Sequence, residues 1–198
     1  MATTASASRF VQNGYEPAHI PAAIAAGLVF VLYLLTLAPS VAMWDTGEYM
    51  AAVKVLGLPH PPGNPFFMLL GNVFGQLPLP VSYAAKINIL AALASAGSAG
   101  FWFLITDRVI ARWIAERWQR LVVAGLATLI GATAFTVWNQ SVVNEKVYTV
   151  SLLFFTIVSW LMIQWIEDPD GPRADRILIL VAFLLGLGYS NHPAGFLP

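Results

Sequence analysis

Acidic side chains are scarce in this sequence and unevenly placed. Six of the ten fall in the arginine-bearing stretches 107–120 and 167–176; the other four are Glu16, Asp45, Glu48 and Glu145. Asp45 and Glu48 belong to Trp44-Asp45-Thr46-Gly47-Glu48-Tyr49, and Glu145 to a polar stretch that starts at Asn139-Gln140 and ends at Asn144-Glu145-Lys146. Between them lies His60-Pro61-Pro62-Gly63-Asn64-Pro65, and Asn191-His192 stands near the end. A carboxylate in such a setting takes the proton of an attacking hydroxyl, while histidine and lysine place charge or donors beside a departing anion. Asp45, Glu48 and Glu145 also offer oxygen ligands that suit a divalent cation, although the pattern does not demand one. Simpler roles compete. Asp45-x-x-Glu48 has capping-box spacing and would start a helix. His60 serves equally as a loop histidine, and Glu145 as a hydrated carboxylate beside a span.

The elements that carry these residues follow from where charge is missing. Only 20 of 198 residues are charged and 58% are hydrophobic, with a mean hydropathy of +0.71. A soluble domain of this length would carry roughly 50 charges. That deficit sets aside a soluble enzyme, and the zero net charge gives no attraction to nucleic acid. The absence of cysteine removes thiolate catalysis and disulfides. The chain reads as an all-α integral membrane protein.

Five uncharged windows have the roughly 20 residues that a spanning helix needs: 17–44, 87–106, 121–144, 147–166 and 177–198. A sixth uncharged stretch, 55–85, holds six prolines and four glycines, which break a straight span. Its best helical piece is 64–77, with Asn64 as N-cap and Pro65 at the first helical position. Fourteen residues are too short to cross and suit a helix lying at the membrane surface. Lysine and arginine then orient the chain. Arg9, Arg108, Arg112, Arg117, Arg120, Arg173 and Arg176 fall on one side and Lys54, Lys86 and Lys146 on the other, so the N-terminus is expected to be cytoplasmic. Residues 1–20 are expected to form a disordered cytoplasmic tail, and 39–86 an outer loop. Ser40-Val41-Ala42 has the small residues of a signal-peptide cleavage site, but the weak leading charge favours an uncleaved anchor. In loop 107–120, Val109, Ile110, Trp113 and Ile114 recur at helical spacing, which predicts an amphipathic segment on anionic headgroups.

With that topology the polar clusters share the outer face, and their order resembles a known family. Asp45-Thr46-Gly47-Glu48-Tyr49 followed by Leu56-Gly57-Leu58-Pro59-His60-Pro61-Pro62-Gly63-Asn64-Pro65 resembles the first-loop signature of a multi-pass family long labelled as a domain of unknown function. That family is related to the protein O-mannosyltransferases of the GT-C glycosyltransferase superfamily. Lys86-Ile87-Asn88-Ile89-Leu90 is similar to the start of its second helix, and Gly188-Tyr189-Ser190-Asn191-His192 to its later glycine-to-histidine stretch. Trp138-Asn139-Gln140 through Glu145-Lys146-Val147-Tyr148 resembles a further motif, with Lys146 interposed after the glutamate. Family members are longer, so the chain is expected to be the N-terminal part of a GT-C fold.

The resemblance implies transfer of a sugar from a polyprenyl-phosphate donor to a hydroxyl of a protein, glycan or lipid acceptor on the extracytoplasmic face. It implies Asp45 as the base, with Glu48 orienting the acceptor or sharing that role. It implies substrate contacts at His60, Asn64, Lys86, Asn88, Glu145 and His192. It implies no particular cofactor, and a divalent metal is compatible. Membrane lipids are the other expected partners. The rival readings are a multi-pass transporter, which would place its charges near the midplane on repeated halves, and a noncatalytic assembly subunit, which would not need Asp45.

A chain without cysteine allows the shared face to be tested directly. Single Asp45→Cys and Glu145→Cys substitutions are expected to label from the same side of sealed vesicles; labelling from opposite sides would leave no common pocket.

Overall fold

Residues 91–100 are alanine, serine and glycine apart from Leu93, and they form the middle of the helix around which the others pack. In lipid there is little hydrophobic drive between helices, so small residues that let backbones approach are what allow tight packing. The computed structural model describes residues 15–42, 44–144 and 147–193. Its helices are α1 (His19–Leu35), α2 (Thr46–Val55), α3 (Pro65–Gly75), α4 (Tyr83–Ile110), α5 (Arg117–Thr133), α6 (Phe135–Val142), α7 (Tyr148–Glu167) and α8 (Ala174–Asn191). Among the described residues there is no strand.

The central helix α4 has 28 residues, about 42 Å at 1.5 Å per residue. Ser82 caps it by accepting from the Ala85 N–H at 3.1 Å. It packs against α1, α3, α5, α6 and α7. A Cβ at Gly100 would stand 3.2 Å from the Ala26 Cβ and 3.4 Å from the Ala22 carbonyl, so glycine permits the α1 contact. α8 is held by α7 and α3 instead.

Among the described residues three helices are by themselves long and apolar enough to cross a membrane: α4, α7 and α8. The third sequence window, expected as one span, holds α5 and α6, which are long and apolar enough together but are bent by 67° about Ala134. Ala134 has ψ 131, which ends the helical ladder, and the Thr133 hydroxyl donates back to the Leu129 carbonyl at 2.8 Å. A hydroxyl of this kind competes for backbone acceptors and bends helices. No proline or charge announces the bend. The first window yields the 17-residue α1, about 25 Å long, at the short end of what crosses a bilayer.

Hydrogen bonds show the helices running alternately up and down. At one end, called here the head, α1 and α6 finish close together, with the Ala38 N–H donating to the Val142 carbonyl at 2.9 Å and the Trp138 indole donating to the Thr36 hydroxyl at 3.0 Å. At the opposite end the Tyr15 hydroxyl donates to Asp107 at 2.8 Å, and Arg120 donates to the same carboxylate at 3.2 Å. Arg108 pairs with Glu167, tying α4 to α7. Burial and the bond to Asp107 push the Tyr15 phenol up. Of the expected tail, residues 1–14 lie outside the described residues, while Tyr15 bonds to Asp107 and Ala18 is buried. The expected amphipathic segment is interrupted after Ile110, and Arg108 and Arg120 face inward to carboxylates, not to headgroups. Trp113 and Trp118 remain exposed there.

At the head, the short helices α2 and α3 fold over a core of Tyr49, Val53, Phe67, Met68, Ile87, Leu90, Val147 and Val150. α3 begins at Pro65, as the sequence predicts, and ends at Gly75. Its Gly71 admits the fully buried Val53 of α2; a Cβ there would lie 2.9 Å from the Val53 Cγ1. Gly71→Val is therefore expected to lower the stability of the full chain in detergent by about 1–3 kcal/mol, the usual cost of overpacking. A thermal melt with an unchanged midpoint would contradict the packing.

Candidate functional site

Asp45, Glu48 and His60 meet at the head of the bundle, where α2 begins. Trp44 has φ 67 and Asp45 stands in the N-cap position, but its side chain makes no capping bond. Glu48 does not reach back as a capping box would. It turns to the loop twelve residues on, where the His60 backbone N–H donates to Oε1 at 2.6 Å and the ring Nδ1 lies 2.9 Å from Oε2. The other ring nitrogen, Nε2, lies 4.0 Å from Asp45 Oδ2. The imidazole thus stands between two carboxylates. Its side chain is 38% exposed, that of Asp45 33% and that of Glu48 44%, so all three are open to a substrate.

The charge arrangement has a direct consequence. Hydrogen bonds from the His60 ring, and then from its backbone N–H, hold the Glu48 carboxyl below its ordinary value of 4.5. Asp45, Glu48 and His60 each bring one ligand atom within 4.8 Å of the others, a spacing that fits a single divalent cation. The bonds among them also account for the grouping without an ion.

A buried chain of amides lies under the cluster. The Tyr49 ring stands edge-on to His60 at 5.6 Å, and its hydroxyl donates to Asn64 Oδ1 at 2.7 Å. Asn64 occupies the N-cap position of α3 with φ 47, yet it caps nothing. Its Nδ2 donates to the Asn191 carbonyl at 2.6 Å. Asn191 Nδ2 in turn donates to the Val147 carbonyl at 3.1 Å and the Ser151 hydroxyl at 2.8 Å. The loop, the end of α8 and the start of α7 are joined in this way.

The residues singled out in the sequence therefore separate into groups. Asp45, Glu48 and His60 are together. Asn64 is next to them but buried, with its amide engaged at both ends. His192 lies at the end of α8, its ring 5.6 Å from that of Tyr148, and lines a cleft of about 340 Å³ with Pro62, Asn64, Pro65 and Tyr189. Lys86 is not at the cluster. Its ammonium donates to the Leu77 carbonyl at 2.6 Å and the Gly75 carbonyl at 3.3 Å, at the far end of α3 from Asn64. Eleven helical residues separate the two ends, about 16 Å. Asn88 is fully buried, donating to the Ala38 carbonyl at 2.8 Å and the Ser40 carbonyl at 3.2 Å and accepting from the Asn144 N–H at 2.8 Å. It fixes the strand of chain leading to Asp45. Glu145 lies outside the described residues. Tyr49 and Asn191 stand in the motifs of the sequence, which assign neither of them a site role. The signal for Tyr49 is its position one turn after Asp45, and for Asn191 an amide at the end of an apolar helix.

Comparison with known proteins gives the family. The family described as the protein O-mannosyl-transferase TMEM260 N-terminal domain matches residues 45–198, starting at the first residue of the cluster. That is most of the chain, and the chain belongs to this family. It is 28% identical over 164 residues to protein O-mannosyl-transferase TMEM260 of Mus musculus, a match covering 83% of this chain and 22% of that protein. It is 27% identical over 169 residues to protein O-mannosyl-transferase tmem260 of Dictyostelium discoideum, covering 82% and 20%. The chain spans about a fifth of the length of these curated relatives. No solved structure matches it.

The electrostatics of Glu48 set a pH expectation. A carboxyl whose folded value is depressed contributes stability above its ordinary value and loses it as pH falls through the folded one. The Glu48–His60 tie is thus intact above pH 4.5 and released in more acidic solution. His60→Ala is expected to return Glu48 to the ordinary carboxylate range in a carbon-13 NMR titration; an unmoved Glu48 would remove His60 as the cause.

Proposed function

We propose that this member of the TMEM260 N-terminal domain family carries the proton-accepting part of a sugar-transfer site, moving mannose from a polyprenyl-phosphate carrier to a protein hydroxyl on the extracytoplasmic face. The observation that carries the reading is the convergence of Asp45, Glu48 and His60 at one exposed point of an otherwise charge-poor helical bundle. Ionisable groups beside a membrane are costly and mark function. The names of the relatives supply the sugar and the class of acceptor, and the excess of arginine at the opposite end supports the assignment of faces.

In this reading Asp45 takes the proton of the acceptor hydroxyl as its oxygen attacks the anomeric carbon of the donor. The bond from that carbon to the phosphate oxygen breaks, and the electron pair leaves on the carrier phosphate. Attack from the face opposite the phosphate inverts the anomeric configuration, and one base is enough for this. Glu48 orients His60, whose other ring nitrogen faces Asp45, and His192 supplies a donor on the side where phosphate charge develops. Lys86, engaged at the far end of α3, serves the fold in this scheme. Asn88 acts by fixing the segment before Asp45.

Asp45→Asn preserves size and removes the base. Full-length enzyme with this change is expected to lose mannosyl transfer by about 100-fold or more, the usual scale of general-base catalysis, with membrane insertion and thermal midpoint retained. Turnover of polyprenyl-phosphate mannose at the parent rate would remove Asp45 from the chemistry and favour a noncatalytic role for this part of the protein.

A further inference from the structure

His60 is the middle of the cluster, yet what holds it is weak at the surface. Its partner Glu48 is exposed, and exposed ion pairs contribute little because water and salt screen them and both side chains must be held in one geometry. A ring that must keep one nitrogen on Glu48 and the other toward Asp45 needs a fixed reference. The buried groups beside it provide one. Tyr49 is 2% exposed, and its ring meets the His60 ring edge-on at 5.6 Å and the Phe67 ring at 6.3 Å. The 2.7 Å bond from its hydroxyl to Asn64 Oδ1 pins the far end of the Tyr49 ring.

Asn64 is itself held on its other side, where Nδ2 donates to the Asn191 carbonyl at the end of α8. Its backbone has φ 47, a left-handed conformation that asparagine and glycine tolerate and most residues resist. Hydrogen bonds in such a buried setting are stronger than in water, and losing one partner strands the other. The chain of contacts therefore runs from the rigid ends of α7 and α8, through Asn64 and Tyr49, to an exposed imidazole.

We infer that Tyr49 and Asn64 are positioning residues for the transfer reaction, setting the His60 ring between Glu48 and Asp45 through the Tyr49–Asn64 hydrogen bond. The inference rests on the function proposed above and assigns to Asn64 a role without substrate contact. Tyr49 reaches no reacting atom either; both act through His60.

The test uses full-length protein, polyprenyl-phosphate mannose as donor and a serine- and threonine-containing peptide as acceptor. Tyr49→Phe keeps the ring and removes only the hydroxyl. It is expected to lower kcat about tenfold with donor KM held within about twofold, as for an interaction that matters in the transition state. Asn64→Gly keeps the left-handed backbone and removes the acceptor; it is expected to give a similar loss, and the two changes together no more than either alone. In a Glu48→Gln background, where the imidazole has lost its ionised partner, Tyr49→Phe is expected to add nothing. A merely structural role would instead cost the same factor in both backgrounds, and that result would overturn the inference. So would a Tyr49→Phe enzyme with the parent kcat. Should Tyr49→Phe fail to accumulate, Asn64→Gly carries the same comparison. A parent protein that transfers no mannose fails differently: it overturns the glycosyltransferase reading, and this inference falls with it.

Discussion

Unpaired backbone groups at the ends of membrane helices are the constraint on which the head of this protein depends. Each helix end leaves several N–H or C=O groups without intrahelical partners, and burial makes an unpaired one costly. Here buried asparagines pair backbone groups at and just beyond helix ends, across segments distant in sequence. Asn88 takes the carbonyls of Ala38 and Ser40 and the N–H of Asn144. Asn64 takes the carbonyl of Asn191, and Asn191 takes that of Val147. One amide side chain has both a donor and an acceptor end, so it joins two strands of chain at a single point.

That scaffold lets the clustered ionisable groups stay wet. Asp45, Glu48 and His60 are all partly exposed and stand over a hydrophobic core that holds Tyr49, Val53 and Phe67. The division is physically sensible. A buried carboxylate pair would be driven to neutrality by desolvation, whereas an exposed one keeps its charge and remains open to an incoming hydroxyl. The opposite end of the bundle follows the other rule. Asp107 and Arg108 are buried there, and each is matched by an opposite charge, Arg120 and Glu167. Removing either partner would leave an uncompensated buried charge.

Several features of the head were legible from residue order alone. Pro65 at the start of a short helix is a local pattern and stands where the sequence reading puts it; the two carboxylates after the first apolar window and the histidine in the proline-rich loop were visible as candidates by type alone. The failures share a cause. A capping box was a fair reading of Asp45-x-x-Glu48, because spacing cannot reveal that His60 competes for the glutamate. Lys86 reads as a phosphate partner by charge, but it lies where the carbonyls at the end of α3 attract it. The bend at Ala134 leaves no proline or charge to read, since it arises from how Thr133 and the following turn satisfy their backbone.

The sequence by itself determined the class of molecule, because charge scarcity and apolar length are sums over residues that no folding can alter. It also narrowed the ionisable candidates to a few, since so few side chains are ionisable. Only the tertiary structure decided which of them meet. Asn64 and Asn88 have the same side chain as any ligand-binding asparagine, and their burial between helix ends makes them scaffold. His60 became part of the carboxylate cluster because the chain between α2 and α3 returns it to Glu48. Such meetings depend on how distant segments satisfy one another's hydrogen bonds, and that cannot be read from neighbours along the chain.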